Sequence, residues 1–176
     1  MKTKTVYFAI VTLLVTVGQS WATETSQFSA KDTKFIKTAL VGGQMEVSLG
    51  QLAAQKGSDQ SVKDFGNKMA VDHQKAGDEL KSLVTQKGGQ IPEVPDQNQS
   101  AMAKHLQKLD GPGFDKMYID HMVKDHNKDI AAFESEAKDG DDVDLKNWAA
   151  KTLPVLQEHL KLAKDAQAKV DPSSHQ

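Results

Sequence analysis

The sequence predicts an all-α protein, a four-helix bundle in which two helical hairpins are joined by a long crossover that contains a short helix. Three observations indicate this fold class. Four long segments carry apolar residues at alternating spacings of three and four, as on the buried face of a bundle helix. Turn-forming residues separate these segments, and one separation is much longer than the others. Residues 62–68 and 145–151 also share the order apolar, Lys, polar, aromatic, small, any residue, Lys, which indicates an internal duplication. A weaker match aligns Phe35 with Phe114 and so pairs Glu46 with Asp125.

The amino terminus predicts export. A short lysine-containing region precedes an apolar run over residues 6–17, and small residues stand at Ser20 and Ala22. This is the pattern of a cleaved secretory signal peptide over residues 1–22. The run is shorter than the roughly 20 apolar residues of a membrane span, so no integral membrane segment is expected in the mature chain. We expect a periplasmic or secreted protein that begins with a flexible linker over residues 23–29, followed by the bundle over residues 30–170.

The composition excludes several classes of function. The formal net charge is only −2 and all 22 basic residues are lysines, which argues against nucleic-acid binding because phosphate and guanine recognition usually employs arginine. Cysteine is absent, which excludes disulfides and thiolate metal sites. No Ser-His-acid arrangement or phosphate-binding glycine loop is visible. An unknown protein partner remains an open alternative.

The first predicted helix follows a Ser29 cap and ends near Lys56. Its seam is apolar or small except for one charged residue, Glu46. Glycines at 42, 43 and 50 lower helix propensity, and close helix approach or room beside the seam is the expected compensation.

The second predicted helix runs from about Gln60 to Lys87, with His73 as the polar member of its seam. The connection that follows exceeds twenty residues, far above the roughly 4 to 6 of a usual helix connection, so it can cross the length of the bundle. Within it, Asn98 is expected to cap a short amphipathic helix over residues 101–109. This crossover makes the second and third long helices parallel.

The third predicted helix extends from about Pro112 to Gly140, and His126 is the one polar residue in its seam. An acidic turn leads to the fourth helix, whose seam contains His159 and which is interrupted by Pro154. Residues 171–176 are expected to form a disordered tail.

One polar residue in each of four apolar seams predicts a buried polar centre. Counted from the predicted helix ends, these residues fall within roughly 5 Å of one level, because a helix rises about 1.5 Å per residue. The predicted metal ligands are Glu46, His73, His126 and His159, for one ion of zinc, iron, manganese or copper. The acids beside the histidines, Asp72, Asp125 and Glu158, are expected to orient them. The alternative is a hydrogen-bonded network of Glu46 with protonated histidine and no metal.

The residues also carry a family resemblance. Met-x-x-Asp-His-x-Lys occurs at residues 69–75 and again at 122–128, within the runs 35–83 and 118–137, which with 151–163 resemble a widespread family of exported bacterial proteins of unknown function, often labelled outer-membrane proteins. The resemblance implies a ferritin-like four-helix bundle without an assigned activity. The positions that match its motif are Glu46, Asp72, His73, His126, Glu158 and His159.

This chain departs from the ferritin pattern in one respect. Two-iron sites of that fold use Glu-x-x-His on two helices, and no Glu-x-x-His occurs here. The resemblance therefore favours a single-metal site or none. Two roles follow as alternatives: a non-enzymatic, stress-related periplasmic bundle that binds a metal or partner, or a metalloenzyme with redox or hydrolytic activity at three histidines and one glutamate.

Overall fold

The computed structural model describes residues 27–171. Within this range the chain is built from α-helices, one 3-10 turn at Gln97–Gln99 and no strands, which confirms the predicted all-α bundle. The helices are α1 (Ala30–Lys56), α2 (Gln60–Gln86), α3 (Ala101–Leu106), α4 (Gly111–Asp139) and α5 (Val143–Val170). The predicted signal peptide, most of the predicted linker and the tail beyond Asp171 lie outside the described residues. No helix in the described range is long and apolar enough to cross a membrane.

Local capping explains where α1 and α3 begin. The Ser29 side chain accepts a hydrogen bond from the backbone N–H of Asp32 at 3.1 Å, as predicted for the start of α1. The predicted cap of the short helix is wrong. Ser100 caps α3 by accepting from the N–H of Ala103 at 3.2 Å, whereas Asn98 lies inside the preceding 3-10 turn. A serine hydroxyl immediately before the first helical residue reaches the free N–H groups, and a side chain two residues earlier does not.

Two buried aspartates join the hairpins α1–α2 and α4–α5. Asp32 of α1 accepts from the backbone N–H groups of Asp141 and Asp142 in the α4–α5 turn, both at 3.0 Å. Asp115 of α4 accepts from the N–H groups of Ser58 and Asp59 in the α1–α2 turn, at 2.9 and 2.8 Å. The beginning of α4 therefore lies beside the beginning of α2, so these two helices run parallel, as predicted.

These contacts also define the internal duplication. Asp32 and Asp115, like the turn residues they bind, are 83 positions apart. The same offset relates residues 62–68 to 145–151, so the predicted duplication of α2 in α5 agrees with the contacts. The predicted alignment of α1 with α4, which paired Glu46 with Asp125, is wrong by four residues. An offset of 83 pairs Glu46 with Asp129 instead, and a single matched phenylalanine was too little to fix the register.

The apolar core is divided into two clusters. One cluster contains the later part of α1 and α5 and the earlier part of α2 and α4; its members include Leu49, Phe65, Met69, Phe114, Tyr118, Met122 and Ala163. The other contains the opposite halves; its members include Phe35, Leu40, Leu80, Phe133, Trp148 and Leu156. In every long helix, the polar seam residue predicted from the sequence falls between the residues of the two clusters. A polar layer thus separates two hydrophobic ones.

Two glycines set the distance between α1 and α2. A Cβ built on Gly50 would lie 2.6 Å from the carbonyl oxygen of Gly66, so only glycine permits this approach of the two backbones. Gly42 is different, because a Cβ there would meet no atom within 4 Å. Both compensations predicted for the α1 glycines, close approach and open room, are therefore present.

Candidate metal centre

Three helices bring their histidines together in the polar layer. The ring centroids of His73 (α2), His126 (α4) and His159 (α5) lie 5.2 to 5.6 Å apart. One ring nitrogen from each can be chosen so that all three lie within 4.8 Å of one another. His126 and His159 are fully buried, and His73 is 7% exposed. The predicted convergence of the three histidines is thus present in the fold.

The backbone fixes the tautomer of His126. Its Nδ1 lies 3.1 Å from the carbonyl oxygen of Met122, one helical turn earlier. A carbonyl oxygen can only accept, so the hydrogen of the neutral ring resides on Nδ1. The lone pair of His126 is consequently on Nε2, where a metal could bind.

A carboxylate fixes the tautomer of His159. Its Nε2 lies 2.8 Å from Oδ2 of Asp72, which also pairs with Lys68 at 3.1 Å. Burial raises the pKa of Asp72, but hydrogen bonds from His159 and Lys68 outweigh it and hold this pKa below its usual value. Asp72 is therefore ionised and accepts the Nε2–H of His159. The lone pair of His159 is left on Nδ1.

The two lone-pair nitrogens face each other. His126 Nε2 and His159 Nδ1 are 3.4 Å apart in the buried centre. Two acceptors at this distance repel unless a cation lies between them. Two nitrogens at about 2.0–2.1 Å from a tetrahedral zinc ion would themselves be roughly 3.3–3.4 Å apart. The separation is that of two adjacent corners of a tetrahedral metal site.

His73 supplies a third nitrogen that has no oxygen partner. Its Nδ1 lies 3.0 Å from Oε2 of Glu46. Its Nε2 is buried and has no hydrogen-bond partner among the described residues. Each of the three histidines thus has one nitrogen held by an oxygen, while the other has no oxygen partner. Metal-binding histidines show this arrangement, because an oxygen on the second nitrogen fixes the ring orientation.

Burial disfavours charge on the three histidines and on Glu46. Burial lowers the pKa of all three histidines, that of His126 to about 4. Burial, followed by the charges of Asp129 and Asp125, raises the pKa of Glu46 well above its usual value. These directions favour the neutral forms of Glu46 and His73 in their 3.0 Å contact, whose geometry would also suit an ion pair. This argues against the alternative in which a protonated histidine balances Glu46.

The predicted acidic residues lie at different distances from the centre. Glu46 contacts His73 and lies 3.4 Å from Nδ1 of His126, so it faces the nitrogens opposite those with free lone pairs. Asp72 is bonded to His159. Asp125 pairs instead with His121 and Lys128, and Glu158 is 57% exposed and pairs with Lys68. The structure therefore brings Glu46 and Asp72 to the histidines and leaves Asp125 and Glu158 outside.

Asp129 is a site residue that the sequence analysis missed. Together with Glu46 and His126 it forms a second group of potential ligands. Burial, and then the charge of Asp125, raises the pKa of Asp129 to about 6. The signal that could have identified it is the 83-residue offset, which pairs Asp129 with Glu46.

A small cavity lies beside the centre. Its volume is about 30 Å³, and its lining includes Glu46, His73, Asp129 and His159 together with Gly42 and Gly77. Exposed residues Thr38 and Val155 line it as well, so it connects the protein surface with the histidines.

Comparison with known proteins places this chain in a family. Residues 18–166 match a domain of unknown function, DUF4142. The fold resembles a DUF305 fragment from Deinococcus radiodurans, with a TM-score of 0.71 at 9% identity over 81% of this chain and 98% of that one. It also resembles a DUF305 "putative secreted protein" from Streptomyces coelicolor, with a TM-score of 0.69 at 14% identity over 80% and 93%. No curated protein matches. Because the family match covers most of the chain, the protein belongs to the DUF4142 family, whose function is unknown.

Proposed function

We propose that this protein is exported and binds one transition-metal ion through His73, His126 and His159. The observation that carries the proposal is the pair of lone-pair nitrogens on His126 and His159, which lie 3.4 Å apart between two fully buried side chains. A cation between them would relieve their repulsion. It would also be a binding partner for Nε2 of His73, which otherwise has none among the described residues. Export is supported by the amino-terminal pattern and by the name of the Streptomyces relative in fold.

The donor set favours zinc or copper among the four metals considered. Imidazole nitrogens suit these ions, whereas manganese prefers oxygen ligands and mononuclear iron sites commonly combine two histidines with one carboxylate. Glu46 lies beside Nδ1 of His73 and Nδ1 of His126 and would orient these two rings. Asp72 would orient His159 through its Nε2. Three histidines around zinc leave a fourth position open.

Elemental analysis of the untagged protein, after exposure to zinc or copper and removal of excess metal, tests the proposal. We expect about one equivalent of metal in the wild type, and none in His126→Ala, since three ligands are the usual minimum for such a site. His105→Ala is the matched control, because His105 is exposed on α3 and lies outside the polar layer. Far-UV circular dichroism verifies that each variant is helical.

Two results would contradict the proposed metal site. A folded wild type that retains no metal, or a His126→Ala variant that retains as much as the wild type, would refute the proposed site. If His126→Ala does not fold, His159→Gln serves instead, since it keeps a polar side chain of similar size in the layer.

A catalytic role is the second candidate. A metalloenzyme needs an open coordination position and a path to it. The observation that favours this role is the cavity that joins the surface to His73 and His159. Redox and hydrolytic assays of the metal-loaded protein, with the metal-free protein as the control, test this candidate.

A further inference from the structure

We infer that the cavity admits to the metal only small exogenous ligands, molecules of two or three non-hydrogen atoms that coordinate it directly. This inference rests on the proposed metal site. It concerns the size and kind of molecule that the site would accept.

The volume of the cavity sets the upper limit. The cavity measures about 30 Å³. An engineered protein cavity of about 150 Å³ holds one benzene molecule, so a cavity roughly one fifth of that size is too small for a ring. A diatomic or triatomic ligand fits this space, whereas a ring or a branched molecule does not.

The cavity has suitable chemistry at its inner end. His73 and His159 line it, and both carry nitrogens without an oxygen partner. Oδ2 of Asp129 is a buried atom without a hydrogen-bond partner among the described residues, and Asp129 lines the same space. A ligand bound to the metal could therefore also bond to this carboxyl group.

The internal duplication explains why there is space here. Positions 83 residues away from His126, His73 and His159 hold Gly43, Leu156 and Ala76. All three of these counterparts line the cavity. The cavity therefore lies where a second, symmetry-related set of histidines would stand. The three histidines provide the ligands, and their three counterparts leave the space that the cavity occupies.

Two glycines leave the cavity open, because they have no side chain to fill it. Gly42 and Gly77 both line the cavity, and a Cβ on either would meet no atom within 4 Å. A larger side chain at Gly42 can consequently be introduced without displacing the backbone. It would project into the open space beside the centre.

Azide binding to the cobalt- or copper-loaded protein tests the inference, monitored by the change in the metal's visible absorption. We expect the wild type to bind azide but not imidazole, which has five ring atoms and exceeds the cavity. Gly42→Leu should retain its metal and bind azide at least about tenfold more weakly, a loss of about 1.4 kcal/mol. Gly113→Leu is the matched control, because Gly113 also has nothing within 4 Å and is exposed at the start of α4.

The outcomes separate the two proposals. Metal analysis accompanies every titration, so a protein that binds no metal refutes the proposed function and this inference with it. A metal-loaded wild type that ignores azide, or that binds imidazole equally well without losing metal, overturns the inference alone. Unchanged azide affinity in Gly42→Leu would also overturn it, since the passage would then lie elsewhere.

Discussion

Two oxygen atoms outside the three histidines determine which ring nitrogen of His126 and of His159 can bind a metal. The carbonyl of Met122 holds the hydrogen of His126 on Nδ1, and the carboxylate of Asp72 holds that of His159 on Nε2. Since a metal binds only the unprotonated nitrogen, these two oxygens select which nitrogens face the ion.

Replacing Asp72 by Asn tests this selection. The amide is a weaker acceptor than the carboxylate and can also donate, so His159 loses its preference for one tautomer. We expect metal affinity to fall by roughly 10- to 100-fold with the fold intact. Competition with a chromophoric chelator measures the Kd. Glu158→Gln is the control, because Glu158 shares Lys68 with Asp72 but does not contact His159; equal losses in both variants would contradict the prediction.

Glu136 is a buried carboxyl group at the end of α4, far from the polar layer. Glu136 is buried, and burial followed by the charge of Asp32 raises its pKa to about 7. A carboxyl group whose folded pKa is raised favours folding when protonated. Its contribution is complete below the usual Glu value of 4.5 and is lost as the pH rises towards 7.

Glu136→Gln should remove this pH dependence. The amide is permanently neutral, so we expect the variant to be more stable than the wild type at about pH 8, by roughly 1–2 kcal/mol, because a pKa unit corresponds to about 1.4 kcal/mol and solvent screens part of the effect. Urea unfolding at several pH values measures it. Glu134→Gln, two residues away and exposed, is the control. A wild type whose free energy of unfolding does not fall between about pH 4.5 and pH 8 would contradict the raised pKa of Glu136.

Helix α1 contains two glycines whose surroundings differ, one closely packed and one open. A methyl group on Gly50 would collide with the backbone of α2, while one on Gly42 would meet open space. Gly50→Ala should therefore destabilise the protein by about 1–3 kcal/mol, the usual cost of overpacking. Gly42→Ala should stabilise it by up to about 1 kcal/mol, because alanine has the higher helix propensity.

Chemical unfolding of both variants checks this contrast. The two substitutions add the same atom to the same helix, so each is the other's control. A Gly50→Ala variant as stable as Gly42→Ala would show that α1 and α2 can separate without cost.

Helices were the part of the fold that the sequence predicted best. Apolar spacing and caps such as Ser29 are local features, and they located the four long helices to within about two residues, inside the usual uncertainty. The alignment of α1 with α4 is not predicted correctly, because the match of Phe35 with Phe114 pairs Glu46 with Asp125, whereas the counterpart of Glu46 is Asp129. The side of the histidines that Glu46 faces depends on side-chain rotamers, which spacing along the chain does not determine.

The molecule as a whole combines a symmetric scaffold with an asymmetric centre. Asp32 and Asp115 clamp each hairpin to the turn of the other at equivalent positions. The polar layer breaks this symmetry, because each histidine has a small or apolar counterpart. A single centre with an adjoining cavity results, and it lies between two hydrophobic clusters.

X-ray absorption spectroscopy of the zinc-loaded protein tests whether the three histidines bind one metal ion. We expect one zinc per chain, bound by three imidazole nitrogens at about 2.0–2.1 Å with a light atom from solvent in the fourth position. His105→Ala should give the same spectrum, because that residue lies outside the layer. Zinc surrounded mainly by carboxylate oxygens, or a folded protein that retains no zinc, would contradict the proposed site.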